Sequence, residues 1–446
     1  MLHTETQEQD FDLLPLHLKN DHRYPHLIES VQGGRYDILF AFPSSPLTLD
    51  QQGLHIPELE VDAEDQDFVR VLDAWYQQLK RERQTELPFE GGWFIFLGYE
   101  LSEQLEPILT LPQESMGLPI AMACYCPAAV IRDRQEHTIH IIAETKDRLD
   151  LMLADIADRD KMDADFYATP VALSKLEEEP GEQYEQGVRR IKDYIHEGDV
   201  FQVNLSRSWQ GELSSNVTHA RLYAALRESN PAPFAALATF GEQAIISSSP
   251  ERLVRTHNEW VETRPIAGTR PRGDDSTGDD ALSTELLAHP KERAEHIMLI
   301  DLERNDLGRI CKPGSVEVNE LMVLESYQHV HHIVSNVRGQ LRDEITPGQI
   351  IKAVFPGGTI TGCPKIRCME IIAELETEGR GAYTGALGYL NIHGDMDLNI
   401  LIRTLVRSGN HIRFRTGAGI VADSDPEKEL EETRHKAEGL LRGFEL

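Results

Sequence analysis

Two pairs of glutamates in the C-terminal half have the spacing of a metal site. Glu292 and Glu295 stand three apart in KERAEHIMLIDLERNDLGR, and Glu429 and Glu432 three apart in DPEKELEETRHKAEGLL, with Lys436 four residues beyond. Residues three and four apart share one face of a helix, so each helix can present two carboxylates to one cleft. All-oxygen donors of this kind suit Mg²⁺, although the same spacing also serves a solvated helix surface. In FPGGTITGCPKIRC (355–368) a glycine-rich loop ends at Pro364, a residue suited to the first turn of a helix, where free N–H groups favour an anion. Gly357 and Gly362 have the spacing of a nucleotide-binding P-loop, but Cys363 and Pro364 stand where Lys and Ser/Thr are needed, which excludes that reading. Gly417 and Gly419 in RTGAGIVADSDP precede the second glutamate helix. Without Cβ atoms they let a ligand carboxylate approach backbone N–H groups. Arg403, set among apolar neighbours in NILIRTLV, needs a carboxylate from protein or substrate. His331 and His332 lie in SYQHVHHIVSNV. Each feature alone also fits a structural role. Together they describe a divalent cation, an anion-binding loop, cations for carboxylates and a histidine, and so a small polycarboxylate substrate.

The elements that must position these groups can be read from periodicity. Tyr184, Val188, Ile191 and Ile195 recur at helical spacing, and Gly198-Asp199 ends that helix. Val200–Trp209 alternates: Phe201, Val203, Leu205 and Trp209 point one way, and Gln202, Asn204, Ser206 and Ser208 the other. That polar face either meets solvent or lines a cleft. Strand-like runs precede this region at Tyr36–Phe42, Gly92–Tyr99 and Thr138–Ala143. Between them, residues 145–187 are charged and poor in aromatics, which suggests a surface helix and then a linker or crossing loop. The expected organisation is an N-terminal part over 1–145, a crossing segment over 146–184 and a catalytic region over 185–446.

A chain of 446 residues that is 40% hydrophobic and 27% charged can bury a large core without disulfide staples. The net charge of −31 argues against a nucleic-acid or anionic-membrane partner, while leaving room for a positive pocket inside an acidic shell. Five cysteines, with no CxxC pair, read as reduced thiols. The start, MLHTETQEQDFDLLP, has neither a basic nor an apolar stretch of a signal peptide. Ile120–Ile131 is too short to span a bilayer and contains Pro127. A cytoplasmic location is expected.

At these residues the chain resembles the chorismate-utilising enzymes. The matching segments run from Ser249-Pro250-Glu251 through TRPIAGTRPRG, AEHIMLIDLERNDLGRIC, HVHHIVS, FPGGTITGCPK, LIRTL and GAGIVADS to ELEETRHK, and cover roughly residues 185–446. HLIESVQGGRYDILFAFP and GGWFIFLGYEL match more loosely. Within the family, RYDILFAFP, FQVNLS, PAPFAAL and the pair FPGGTITG and DLNILIRTL resemble the aminodeoxychorismate synthases' large component. The anthranilate synthases are the near alternative. The resemblance implies one large α/β (α+β) chorismate-binding domain of two packed, mostly antiparallel sheets with outer helices, the N-terminal third woven into the same body. It implies Mg²⁺ held directly by Glu295 and Glu432, with Glu292 and Glu429 assisting through water. Glu251 would be the general acid for the C4 hydroxyl, and His332 would orient or protonate the leaving group. Gln202, Thr361, Lys365, Tyr383, Arg403, the Gly417-Ala418-Gly419 backbone and Lys436 would bind chorismate. Isochorismate- and salicylate-forming relatives carry a lysine base where this chain has Gln202. Ala267 stands where the aminodeoxychorismate enzymes usually carry a nucleophilic lysine, so no covalent adduct is expected there. No cysteine has the setting of a glutaminase nucleophile, so ammonia is expected from a separate glutamine amidotransferase subunit. The LIES segment (27–30) resembles the family's tryptophan-pocket segment.

Overall fold

The structure is a computed structural model that describes residues 2–58, 66–159, 166–167, 169–214, 217–272, 290–326 and 330–445. Among these, the strands form two sheets of 13 and 11 members. Neighbouring strands pair antiparallel, except Val171–Glu178 with Phe444–Glu445. This is the mixed α/β body of two large sheets that the sequence predicts.

The strand Gly92–Leu97 (GWFIFL) explains why the sheets stack. It is buried along its whole length, so both faces need cover. Trp93, Ile95 and Leu97 enter a core with Phe68, Leu72 and Trp75 of the helix Phe68–Leu79 and with Ile350 and Ile351. Phe94 and Phe96 point the other way, into a core with Ile38 and Phe40 of the first sheet. Each such side chain contributes about 1.5–3 kcal/mol on burial. The N-terminal third runs through both sheets. His26–Glu29 pairs with Phe234–Phe240 in one, and Gly92–Leu97 pairs with Ala386–Asn391 in the other.

The elements around the candidate site are, in chain order, α1 (Gly181–Glu197), β1 (Gln202–Leu213), β2 (Ile266–Pro271), α2 (Pro290–Gly308), β3 (Val330–Gln340), α3 (Lys365–Leu375), β4 (His411–Ile420) and α4 (Pro426–Leu441). Gly198 closes α1 in the left-handed conformation, φ 86°, as its position after the last periodic residue predicts. β1 and β4 pair from Val203↔Ile420 to Glu212↔His411, and β2 pairs with β3.

The crossing segment differs from its reading as helix and linker. A helix does form over Lys146–Ala157, but Val171–Glu178 is then a strand on β1, with Phe444–Glu445 on its other side. Val171 and Leu173 are buried, while Ala172 and Ser174 are exposed. This short alternation is masked in the sequence by the charged residues that follow it. Residues 160–165 and 168 of this segment lie outside the described residues.

Candidate active site

The polar face of β1 is turned inward, where Gln202 meets Glu295, Ser206 meets Glu376 and Ser208 meets Glu179. Gln202, Ser206 and Ser208 are buried on one side, while Val203, Leu205 and Trp209 fill cores on the other. Phe201 breaks the pattern and is 68% exposed at the strand's start. β4 lies beside β1 and presents Gly417 and Gly419 opposite Ser206 and Asn204. A Cβ on Gly419 would stand 2.3 Å from Gln202 Nε2 and 3.5 Å from Glu295 Oε1. A Cβ on Gly417 would stand 2.6 Å from the Leu205 carbonyl, 2.8 Å from the Tyr383 hydroxyl and 2.9 Å from Asn204 Oδ1. The two glycines thus leave a shallow cradle that any side chain would fill. Ala418, between them, turns its methyl into the apolar core with Val203 and Leu205. Of the expected Gly417-Ala418-Gly419 contact set, Ala418 has only its backbone to offer.

α2 and α4 bring carboxylates to this cradle. Gln202 Nε2 donates to Glu295 Oε1 at 2.9 Å. From α4, Lys436 Nζ donates to the Gly417 carbonyl at 2.8 Å and pairs with Glu432 at 2.8 Å. That pair is about half exposed, so it holds Glu432 weakly. Glu292 and Glu429 are half-buried one turn before their partners. Among the described residues, no three acidic, histidine or cysteine side chains gather as a metal cluster. Their chemistry fits a hard cation: all four glutamates are oxygen donors, and Glu295 and Glu432 lie at the cradle through Gln202 and Lys436.

A second set lies deeper. Glu251 is buried and accepts a hydrogen bond from the Thr359 hydroxyl at 2.8 Å. Burial raises its carboxyl to about 7; the Glu303 carboxylate adds to the rise, and Arg403 opposes it. Arg403 sits at φ 50°, and its guanidinium makes no hydrogen bond or ion pair with a described residue. Desolvation lowers its basicity, and Glu251 counters this. His332 is buried on β3, and burial pushes it down to about 4, with Arg403 adding to the fall. It is therefore neutral at pH 7 in the free protein and suited to orienting a ligand rather than donating a proton. Ala267 is buried on β2 opposite Ile333, beside a register shift that sets Thr269 against His332. Tyr383 is buried, its hydroxyl raised to about 12 by desolvation.

Two expected substrate ligands are otherwise engaged. Lys365 Nζ pairs with Asp306 at 2.6 Å, the two side chains being 15% and 4% exposed. The Thr361 hydroxyl donates to the Gly357 carbonyl at 2.9 Å, and its own carbonyl accepts from Asn204 N–H at 2.9 Å. Both fold the glycine loop. Three groups were not singled out from the sequence: Thr359, Glu303 and the buried brace under the cradle. In the brace, Glu376 accepts from Arg380 at 2.7 Å, from Arg415 at 3.0 Å and from Ser206 at 2.9 Å. Arg380 also donates to the Asn204 carbonyl at 2.8 Å and the Ile360 carbonyl at 3.1 Å. Glu303 did carry a usable signal: it continues the stripe Glu292, Glu295, Leu299 at helical spacing.

A family model described as chorismate binding enzyme matches residues 33–442. The chain belongs to this family. As a chorismate-binding enzyme it is similar to several curated relatives. A Synechocystis anthranilate synthase component I-like protein is 43% identical over 80% of this chain and 74% of its own. Aminodeoxychorismate synthase component 1 of Bacillus subtilis is 39% identical over 96% and 93%. Anthranilate synthase component 1 of Acetivibrio thermocellus is 38% identical over 94% and 90%. Among solved structures, anthranilate synthase component I from Streptococcus pneumoniae has a TM-score of 0.81 at 34% identity and covers 92% of both chains. The family supports an enzyme acting on chorismate.

Apart from the cradle, this enzyme has a cavity of about 530 Å³, lined in part by Ser30, Gly34, Tyr36, Pro233, Phe234 and Asn399. It includes Ser30 of the LIES segment. Among the described residues, no helix is long and apolar enough to cross a membrane.

Proposed function

We propose that this enzyme aminates chorismate with ammonia to give 4-amino-4-deoxychorismate, as component I of an aminodeoxychorismate synthase. The observation that carries this reading is the buried Glu251 carboxyl, raised to about 7 beside the unpartnered Arg403. Loss of a hydroxyl needs a proton donor, and a carboxyl poised near neutrality supplies one. Arg403 and Lys436 take the two substrate carboxylates, with Tyr383 and the glycine cradle shaping the site. Asn204 in the cradle favours this branch; the Bacillus component 1 is 39% identical over 96% of this chain, and an anthranilate synthase 38% over 94%.

The nucleophile's place is also supported. Gln202 Oε1 and Asn204 Oδ1 are buried acceptors without a hydrogen-bond partner among the described residues. Ammonia brings N–H donors that such oxygens accept. A carboxamide has no basic nitrogen with which to activate water, so water-adding chemistry is disfavoured. Glu251 gives its proton to the C4 hydroxyl, which leaves as water. The attacking nitrogen loses a proton, so the step balances. Ala267 has only a methyl group, so the reaction forms no adduct at that position. Glu295 and Glu432 would hold Mg²⁺, with Glu292 and Glu429 assisting, and the ion would supply charge stabilisation at the ring carboxylate.

Ammonia comes from a separate glutamine amidotransferase. The thiols here suit that division: burial pushes Cys311 up to about 11 and raises Cys126, Cys363 and Cys368, where a nucleophilic thiol needs a lowered pKa. The deciding experiment is product identification by chromatography after incubation with chorismate, ammonium and Mg²⁺. Aminodeoxychorismate is expected; dominant anthranilate overturns the reading in favour of the anthranilate synthase alternative.

A further inference from the structure

Glu303 belongs to α2 but not to its glutamate pairs. It lies two to three turns beyond Glu292 and Glu295 on the same stripe, deep enough to be only 7% exposed. Its carboxylate rests against Gly358, where a Cβ would be 3.2 Å from Oε1. The next residue, Thr359, donates to Glu251. Two adjacent loop residues thus hold two buried carboxylates. The other wall repeats the pattern: Thr263 lies beside Glu303, and the Ile266 amide beside Glu251. One turn along α2, Asp306 faces Glu303 and is ion-paired to Lys365 at 2.6 Å. Lys365, at 15% exposure, is the outer end of this series.

We propose that Glu251 and Glu303 act as a proton-sharing pair, Glu303 being a positioning residue that returns a proton to Glu251 after each turnover. This rests on Glu251 being the general acid. When the C4–O bond breaks, the Glu251 proton leaves with the hydroxyl as water, and Glu251 remains ionised in a buried site. The proton released from the newly bonded nitrogen goes to solvent on the cradle side, so Glu251 must recover one by another route. Glu303 gives its proton to Glu251 and regains it from the Asp306–Lys365 end. No bond other than O–H changes in this return, and no redox partner is needed. Burial raises both carboxyls well above the usual carboxylate range, so each can hold a proton in the resting site. The charged groups facing the pair are Arg403 at Glu251, Asp306 and Lys365 at Glu303, and Arg309 at Asp306. Two interacting acids of this kind titrate in two steps that belong to the pair.

The test compares the full chain with Glu303→Gln, which keeps size and acceptor oxygen but cannot titrate. With chorismate, ammonium and Mg²⁺, kcat is expected to fall about tenfold or more, within the range for acid–base groups, while KM changes little. Removing the like charge also moves the basic limb of the kcat/KM profile about one unit to lower pH. An unchanged kcat and an unmoved limb overturn the proposal, as does a rise in KM alone. Infrared difference spectra of the wild-type chain across pH give a second measurement that needs no folded Glu303 variant. In the difference between wild-type and Glu251→Gln spectra, which cancels Asp37 and the other raised carboxyls, loss of one step and a shift of a second to lower pH are expected; loss of one step with no shift of another overturns the pairing. Turnover retained in Glu251→Gln refutes the general-acid reading itself, and the infrared result then stands apart from it.

Discussion

Gly419→Ala isolates the contact on which the cradle depends. The added Cβ falls 2.3 Å from Gln202 Nε2, where carbon and nitrogen need about 3.5 Å. The amide must swing by about 1 Å or more, and its 2.9 Å bond to Glu295 Oε1 is lost. A hydrogen bond to a charged group is worth about 1.5–3 kcal/mol, or roughly 10- to 150-fold in rate when the site depends on it. Stability moves the other way: alanine in a strand is better than glycine by about 0.5–1 kcal/mol, and Gly419 does not need a left-handed backbone. The expected outcome is kcat/KM reduced by that factor, with Tm unchanged or a few degrees higher, measured by chorismate consumption and thermal melting. Activity within about threefold of wild type would mean that the placement of Gln202 against Glu295 is not required, and the cradle reading would fall. Gly417→Ala is the contrast. Its Cβ meets the Leu205 carbonyl at 2.6 Å, backbone that cannot swing aside, so this variant should lose stability as well as activity.

Three further outcomes follow from the same geometry. Glu251→Gln should abolish turnover yet stabilise the fold at high pH. The folded state keeps a proton that the unfolded chain releases, so the penalty is absent below pH 4.5, grows up to about 7 and is full above it; urea unfolding at pH 8 should show a gain of about 2–3 kcal/mol that vanishes near pH 4.5. Lys365→Met strands Asp306 in a buried site and should cost about 3–5 kcal/mol of stability, whereas Lys436→Met removes an exposed pair worth about 0–1 kcal/mol and should raise KM for chorismate; equal melting temperatures for the two would contradict these roles. Glu295→Gln and Glu432→Gln should each lose activity while keeping the wild-type melting curve, and normal turnover of either at limiting Mg²⁺ would remove it from the metal site.

The sequence was most legible where local periodicity and burial agree. The alternation in Val200–Trp209 gives the polar face of β1 because one residue in two must turn away from the core, and Gly198 marks the end of α1 because few other residues accept its φ. The roles of the lysines were not legible. Lys365 and Lys436 look alike as cations near motifs, yet Asp306, which captures Lys365, lies 59 residues away along the chain. Spacing puts Glu303 on the stripe of Glu292 and Glu295 but does not reveal its burial, which comes from packing against Gly358. Ala418 stands inside a ligand motif, but the period of the strand turns its side chain to the core. The strand Val171–Glu178 escaped notice because its alternation is only a few residues long and is followed by acidic residues.

The weaving of the N-terminal third into both sheets bears on how the chain is made. Leu97 pairs with Ala386, and Ala235 with Glu29, so neither sheet is complete until nearly the whole polypeptide has left the ribosome. Until then the strand Gly92–Leu97 lacks its neighbour and exposes two hydrophobic faces and a row of unpaired amides. Such an edge recruits other chains. Cutting the gene between the N-terminal third and the rest would therefore give two fragments with open sheet edges instead of two working domains.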